Sequence, residues 1–135
     1  NRKHGLIRHS SNVARQLMRY EACGLVYWER PESPVIIGLL HDICKVGTYR
    51  ESGGEYTYNK GTEIWKGHAT KSLSLISTEL FEGFKLTEQE ALCIRYHMGS
   101  YETEEWNEYG KAIEAYPEVL FTHTADMYST HCLNL

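Results

Sequence analysis

The chain has 135 residues and a formal net charge of −4, with 41% hydrophobic residues. That length suits a single domain over residues 1–135 with a real core and excludes two independent ones. The charge lacks the strong basic excess that grips long nucleic acids without regard to sequence, and no stretch reaches the apolar length of a membrane span.

The first predicted helix is marked by Leu6, Ile7, Val13, Ala14, Leu17 and Met18 at helical spacing, with His9 in its first half. It runs to about Cys23, where Gly24 ends it. Residues 24–31 break the periodicity and read as a connection. Ser33 then offers an N-cap, with Pro34 at the first helical position, for a helix over Val35–Val46 closed by Gly47. This apolar run delivers His41 and Asp42 side by side. Burying an imidazole next to a carboxylate costs desolvation energy, and metal coordination is the usual compensation.

Between Thr48 and Gly61 the pattern turns to Tyr, Thr, Gly and charge, which suggests a short hairpin or an ordered loop. Helical spacing returns from Trp65 to about Phe81, with His68 in the first turn. Thr87 followed by Glu90 is a capping-box signature for a helix from Glu88 to about His97, ended by Met98-Gly99. Tyr101–Tyr109 is rich in glutamate and reads as a solvated loop or a loose helical turn, and Glu88 to Glu90 as a second solvated face. A last helix opens around Pro117 and carries Asp126. The sum is an all-α bundle of five or six helices with one short hairpin or loop excursion.

Cys23, Cys44, Cys93 and Cys132 are scattered without a CxxC pair and read as reduced thiols of a cytoplasmic protein. No signal sequence opens the chain. It begins at Asn1 rather than methionine, so further N-terminal sequence can precede it.

Taken singly, His9, His68 and His97 read as ordinary core or surface imidazoles. As a set they read differently. His9, the His41-Asp42 pair, His68, His97 and Asp126 lie on or at the ends of separate predicted helices, mostly beside apolar stretches that face a common core. Helical bundles build metal sites by convergence of this kind.

These residues, in this order and with their flanks, resemble the HD-domain metal-dependent phosphohydrolase superfamily. The stretches that carry the resemblance are residues 5–14 around His9, 40–47 around His41-Asp42, 67–72 around His68, 95–99 around His97, and His123-Thr124-Ala125-Asp126. Within the superfamily the chain is most similar to the HD module of bacterial 3′ to 5′ exoribonucleases and to small bacterial and phage HD proteins. The OB domain that accompanies those exonucleases is not in this sequence. The Gly-Tyr-Pro signature of the cyclic-dinucleotide branch is missing after His97, where the chain reads Met98-Gly99-Ser100-Tyr101.

The resemblance implies that His9, His41, Asp42 and Asp126 hold one metal ion, and that His68 and His97 hold a second, with Asp42 bridging. Four imidazoles and two carboxylates are in any case too many for one tetrahedral ion. Such a nitrogen-rich set suits Mn, Fe, Co, Ni or Zn better than Mg. Bound cations would also reverse the local field, so an acidic chain is compatible with an anionic substrate.

The implied activity is hydrolysis of a phosphoester of a nucleotide or nucleic-acid end by a metal-activated water, with Asp42 and Lys45 as the catalytic residues. Lys45 would contact substrate phosphate; its plainer reading is a surface lysine near a helix C-terminus. His123, one turn before Asp126, is either a partner of the ligand shell or a packed imidazole. Two other classes stay open: a non-catalytic nucleotide- or metal-binding sensor, and a di-iron oxygenase. The expected partner is a small phosphorylated molecule, with no membrane. The sequence does not encode the oligomeric state.

Overall fold

The computed structural model describes residues 5–43, 49–52, 55–58, 85–99 and 106–135. Among them are five α-helices: α1 (Gly5–Ala22), α2 (Ser33–Leu40), α3 (Glu88–Arg95), α4 (Trp106–Ala115) and α5 (Glu118–Met127). A five-residue π-helical turn, Tyr128–Cys132, continues α5. The strands β1 (Tyr49–Ser52) and β2 (Glu55–Tyr58) form an antiparallel hairpin, Tyr49 opposite Tyr58 and Ser52 opposite Glu55. The architecture is the expected all-α one with its short hairpin. The helix expected over Trp65–Phe81 lies outside the described residues.

Helix α1 buries Val13, Ala14 and Leu17 together with His9, Ser10, Asn12 and Gln16 on one face. Its end is closed by two bonds, Leu25 N–H donating to Tyr20 O and Gly24 N–H to Glu21 O, the pair that stops a helix at a glycine. This face packs chiefly on α2, while α3 and α5 complete the core around Ile37, Cys93, Ile94, Val119 and Ala125. No helix of the described residues is long and apolar enough to cross a membrane.

Three expectations need correction. Ser33 is not an N-cap: Glu32 holds that position without a side-chain cap, and the Ser33 hydroxyl donates instead to Glu90 Oε2 at 2.7 Å. Helix α2 stops at Leu40 rather than Val46: His41 N–H still donates to Ile37 O, but the next carbonyl, that of Gly38, is taken by the His41 side chain. His41 Nδ1 lies 2.9 Å from Gly38 O and 3.3 Å from Ile37 O. His41 and Asp42 therefore sit in the turn that follows α2.

The third concerns charge. Glu90 is fully buried, not part of a solvated face. It closes the expected capping box with Thr87, accepts from Ser33, and takes a two-pronged pair of bonds from Arg30 at 2.6 and 2.7 Å. Residues 106–109 of the acidic stretch follow the helical alternative and open α4, since Tyr109 and Ala112 recur at helical spacing and are buried.

Candidate metal centre

Three separate elements deliver four buried ligand-type side chains to one point. His9 comes from the N-terminal end of the buried face of α1, His41 and Asp42 from the turn after α2, and Asp126 from the last turn of α5. One nitrogen or oxygen of each lies within 4.8 Å of every other. His9 Nε2 is 2.8 Å from Asp126 Oδ1, 3.2 Å from His41 Nε2 and 3.5 Å from Asp42 Oδ2. His41 Nε2 is 3.4 Å from Asp42 Oδ2 and 3.6 Å from Asp126 Oδ1.

His97 joins the cluster from the other side. It lies in the turn after α3, fully buried, with Nε2 3.3 Å from Asp42 Oδ1. The two oxygens of Asp42 thus face different imidazoles, Oδ2 toward His9 and His41, Oδ1 toward His97. His68 and Lys45 lie outside the described residues.

Hydrogen bonding fixes the tautomers. His41 Nδ1 donates to Gly38 O, and His97 Nδ1 donates to Ile94 O at 2.7 Å, so in each neutral ring the Nε2 lone pair points into the cluster. Lone pairs of Nε2 then face carboxylate oxygens. That arrangement is repulsive unless a proton or a cation sits between them. Burial alone favours neutral His41, but Asp42 and Asp126 outweigh it and hold the imidazole up at about 10. Burial would raise Asp126, and its bonds to His41 and His9 outweigh that, keeping it well below the usual carboxylate range.

The spacing fits a cation as well. Two ligands about 2.1 Å from one ion, in tetrahedral or octahedral arrangement, are about 3.0–3.4 Å apart; the 3.2 and 3.4 Å separations fall in that range, and those of 2.8, 3.5 and 3.6 Å lie just outside it. His9 Nδ1 is buried with no hydrogen-bond partner among the described residues, so no acceptor anchors its tautomer as Gly38 O does for His41.

A family model described as HD domain matches residues 6–130 of the chain. The chain belongs to the HD domain family. No curated protein and no solved structure shows a significant match to it. HD domains are generally metal-dependent phosphohydrolases, and the buried His/Asp cluster of this HD domain fits a divalent cation.

Residues around the cluster separate into two groups. His123 Nδ1 donates to the backbone carbonyl of His97 at 2.8 Å, which favours the ligand-shell alternative over simple packing. Tyr96 is 7% exposed and stacked on Tyr109 at 5.5 Å, so its ring is part of the core. Cys93 is buried and its thiol is pushed up to about 12, chiefly by burial, which leaves it unreactive. Cys23, Cys93 and Cys132 are free thiols.

The sequence missed the polar frame beneath the site. Gln89 Nε2 donates to Tyr27 O and Glu118 Oε1, while Glu29 N–H and Tyr27 N–H donate to Gln89 Oε1 and Glu118 Oε2. These bonds tie the α1–α2 connection to α3 and α5, the helices whose far ends carry His97 and Asp126. Only a tertiary fold shows them, because the partners are 29 to 91 residues apart.

Proposed function

We propose that this HD domain is a metal-dependent phosphohydrolase that cleaves a phosphoester of a nucleotide or of a nucleic-acid end. The observation that carries the reading is the facing of the two Asp42 oxygens toward two different sets of imidazoles, at 3.3 to 3.5 Å. A carboxylate so placed suits a bridge between two cations. His9, His41, Asp42 and Asp126 would hold one ion, His97 and His68 the other, with Mn, Fe, Co, Ni or Zn favoured over Mg by the nitrogen donors.

When bound, the cations supply Lewis acidity, lowering the pKa of a water and offsetting the charge of the phosphate oxygens. The protein's own part is to hold the donors in place. Carbonyls fix the His41 and His97 rings, and burial excludes competing water. Lys45 orients the phosphate. The similarity to exoribonuclease HD modules rests on sequence motifs and points to a nucleic-acid end as one form of the substrate, in a cytoplasmic setting.

The test is a metal-supplemented assay with bis(4-nitrophenyl) phosphate and 4-nitrophenyl phosphate, run beside iron analysis of the purified protein. Nitrophenol release, abolished by chelator and by His41→Ala, is the expected result. Metal binding with no release from either ester or from nucleotides would favour a sensor. Bound iron with oxygen consumption would favour an oxygenase.

A further inference from the structure

His97 stands apart from the other described members of the cluster in how it is held. Helix α3 ends at Arg95, and Tyr96 at its C-cap has already left helical geometry, with φ −110° and ψ 17°. The backbone bond from His97 N–H to Ile94 O is long, at 3.5 Å. The ring is tethered to Ile94 O through Nδ1 at 2.7 Å, so what is left for an outside brace to set is the backbone of the turn 96–99.

That brace is His123. Its Nδ1–H donates to His97 O at 2.8 Å, across 26 residues of sequence. Its ring also covers Gly99, which has φ +57°: a Cβ there would lie 2.9 Å from His123 Cε1 and 3.0 Å from Nδ1. Gly99 N–H in turn donates to Tyr96 O at 2.9 Å, closing the turn. His123 precedes Asp126 by three residues on α5, so the two share a helix face. One rigid turn of α5 thus carries a ligand of the first ion and the clamp on His97.

We propose that His123 is a positioning residue that fixes the second-ion histidine, His97, at a set distance from Asp126 and so makes the centre dinuclear. The proposal rests on the two-ion reading above. Its mechanism is mechanical: the hydrogen bond and the ring contact both act on the turn, and neither touches an ion.

The experiment is titration of chelator-treated protein with Mn²⁺ by calorimetry, paired with electron paramagnetic resonance for the spin-coupled Mn pair. Wild type is expected to take up two ions and to show coupling. His123→Phe keeps a ring over Gly99 and removes the donor. It should raise the second-site Kd by about 10–100-fold, the range for lost outer partners of ligands, with the first-site Kd changed by less than about twofold and the coupled signal lost. His123→Gln, which restores an N–H donor, should recover part of the second-site affinity.

Gly99→Ala is the independent arm. Its methyl strikes the His123 ring, and at φ +57° it strains the turn as well, so it should give the same selective loss of the second site, with no recovery in Gly99→Ala/His123→Ala because the donor to His97 O is then gone too. Wild-type uptake of a single ion overturns the two-ion reading and the proposal with it. Two-ion wild type with an unaltered second site in His123→Phe, or with both sites weakened alike, overturns the positioning role alone.

Discussion

Gly38 of α2 lies so close to Ala14 of α1 that a Cβ built on it would fall 2.5 Å from Ala14 Cβ and 2.6 Å from Ala14 N. The obstacle is largely backbone, which cannot rotate away. This contact sits five residues from His9 on α1 and three from His41, and the Nε2 atoms of the two histidines are 3.2 Å apart. The spacing between the two helices therefore sets the spacing between two ligands. Gly38→Ala is expected to cost about 1–3 kcal/mol, the usual range for overpacking, and to weaken metal uptake in parallel. Val35→Ala, on the exposed side of the same helix, should stay within about 0.5 kcal/mol. Urea denaturation of both variants, with metal titration of the folded protein, checks the pair.

The Arg30–Glu90 pair gives a stability prediction with a defined pH sign. Glu90 is fully buried, while the Arg30 side chain keeps 31% of its exposure. Arg30→Ala should cost about 2–3 kcal/mol, less than the loss of a wholly buried pair, since water screens part of the guanidinium. Burial would raise the Glu90 carboxyl, but bonds from Arg30, Ser33 and Thr87 outweigh it and hold it below the ordinary 4.5. A depressed folded value means the stabilisation is full above about 4.5 and is lost as pH falls through the folded value. In chelator-treated protein, the gap in urea midpoint between wild type and Glu90→Gln should be flat from pH 5 to 8 and narrow below 4.5. A gap that widens with acid would contradict the assignment.

Much of this frame was readable in advance because local rules and tertiary packing agree. Thr87 and Glu90 announce α3 by a reciprocal cap, and the residues around Gly24 end α1 as their spacing implies. Where the sequence misled, a side chain had been taken by a distant partner. Ser33 looks like a cap, but its hydroxyl is spent on Glu90. Glu90 looks solvated, but Arg30, 60 residues away, neutralises it. The site was legible as a list of residue types in order. Its geometry was not, because the relation between Asp42 and His97 depends on how α2 and α3 end, and helix ends are set by what the terminal side chains reach.

The two Asp42 oxygens allow single substitutions to be ranked by how many ions they release. Asp42→Ala is expected to lose both ions and all chelator-sensitive activity together. His97→Ala should lose one ion and keep the His9, His41, Asp126 set occupied. Lys45→Ala should keep both and lower kcat by roughly 10²-fold, as for loss of one group that stabilises transition-state charge. Inductively coupled plasma analysis of dialysed proteins, beside the nitrophenyl assay, separates the three. Full metal content in Asp42→Ala would remove the carboxylate bridge from the account.

The proton on His41 predicts opposite pH trends for the ion-free and ion-loaded protein. In the ion-free form burial disfavours the imidazolium, yet Asp42 and Asp126 hold its pKa at about 10. A value raised above the ordinary 6.5 stabilises the fold fully below 6.5, and that contribution is lost as pH rises toward 10. Coordination through Nε2 instead requires the bare nitrogen. Metal affinity should therefore strengthen with pH up to about 10, by as much as tenfold per unit from this group. Asp126, already ionised, adds nothing to that slope at neutral pH. The deciding measurement is the ¹⁵N spectrum of the His41 ring in chelator-treated protein at pH 8, where an ordinary histidine is neutral. Both ring nitrogens protonated, with Nε2–H lost on titration with Zn²⁺, is the expected outcome. A neutral ring in the ion-free protein would show that the two carboxylates do not share their charge with His41, and the predicted slope would vanish.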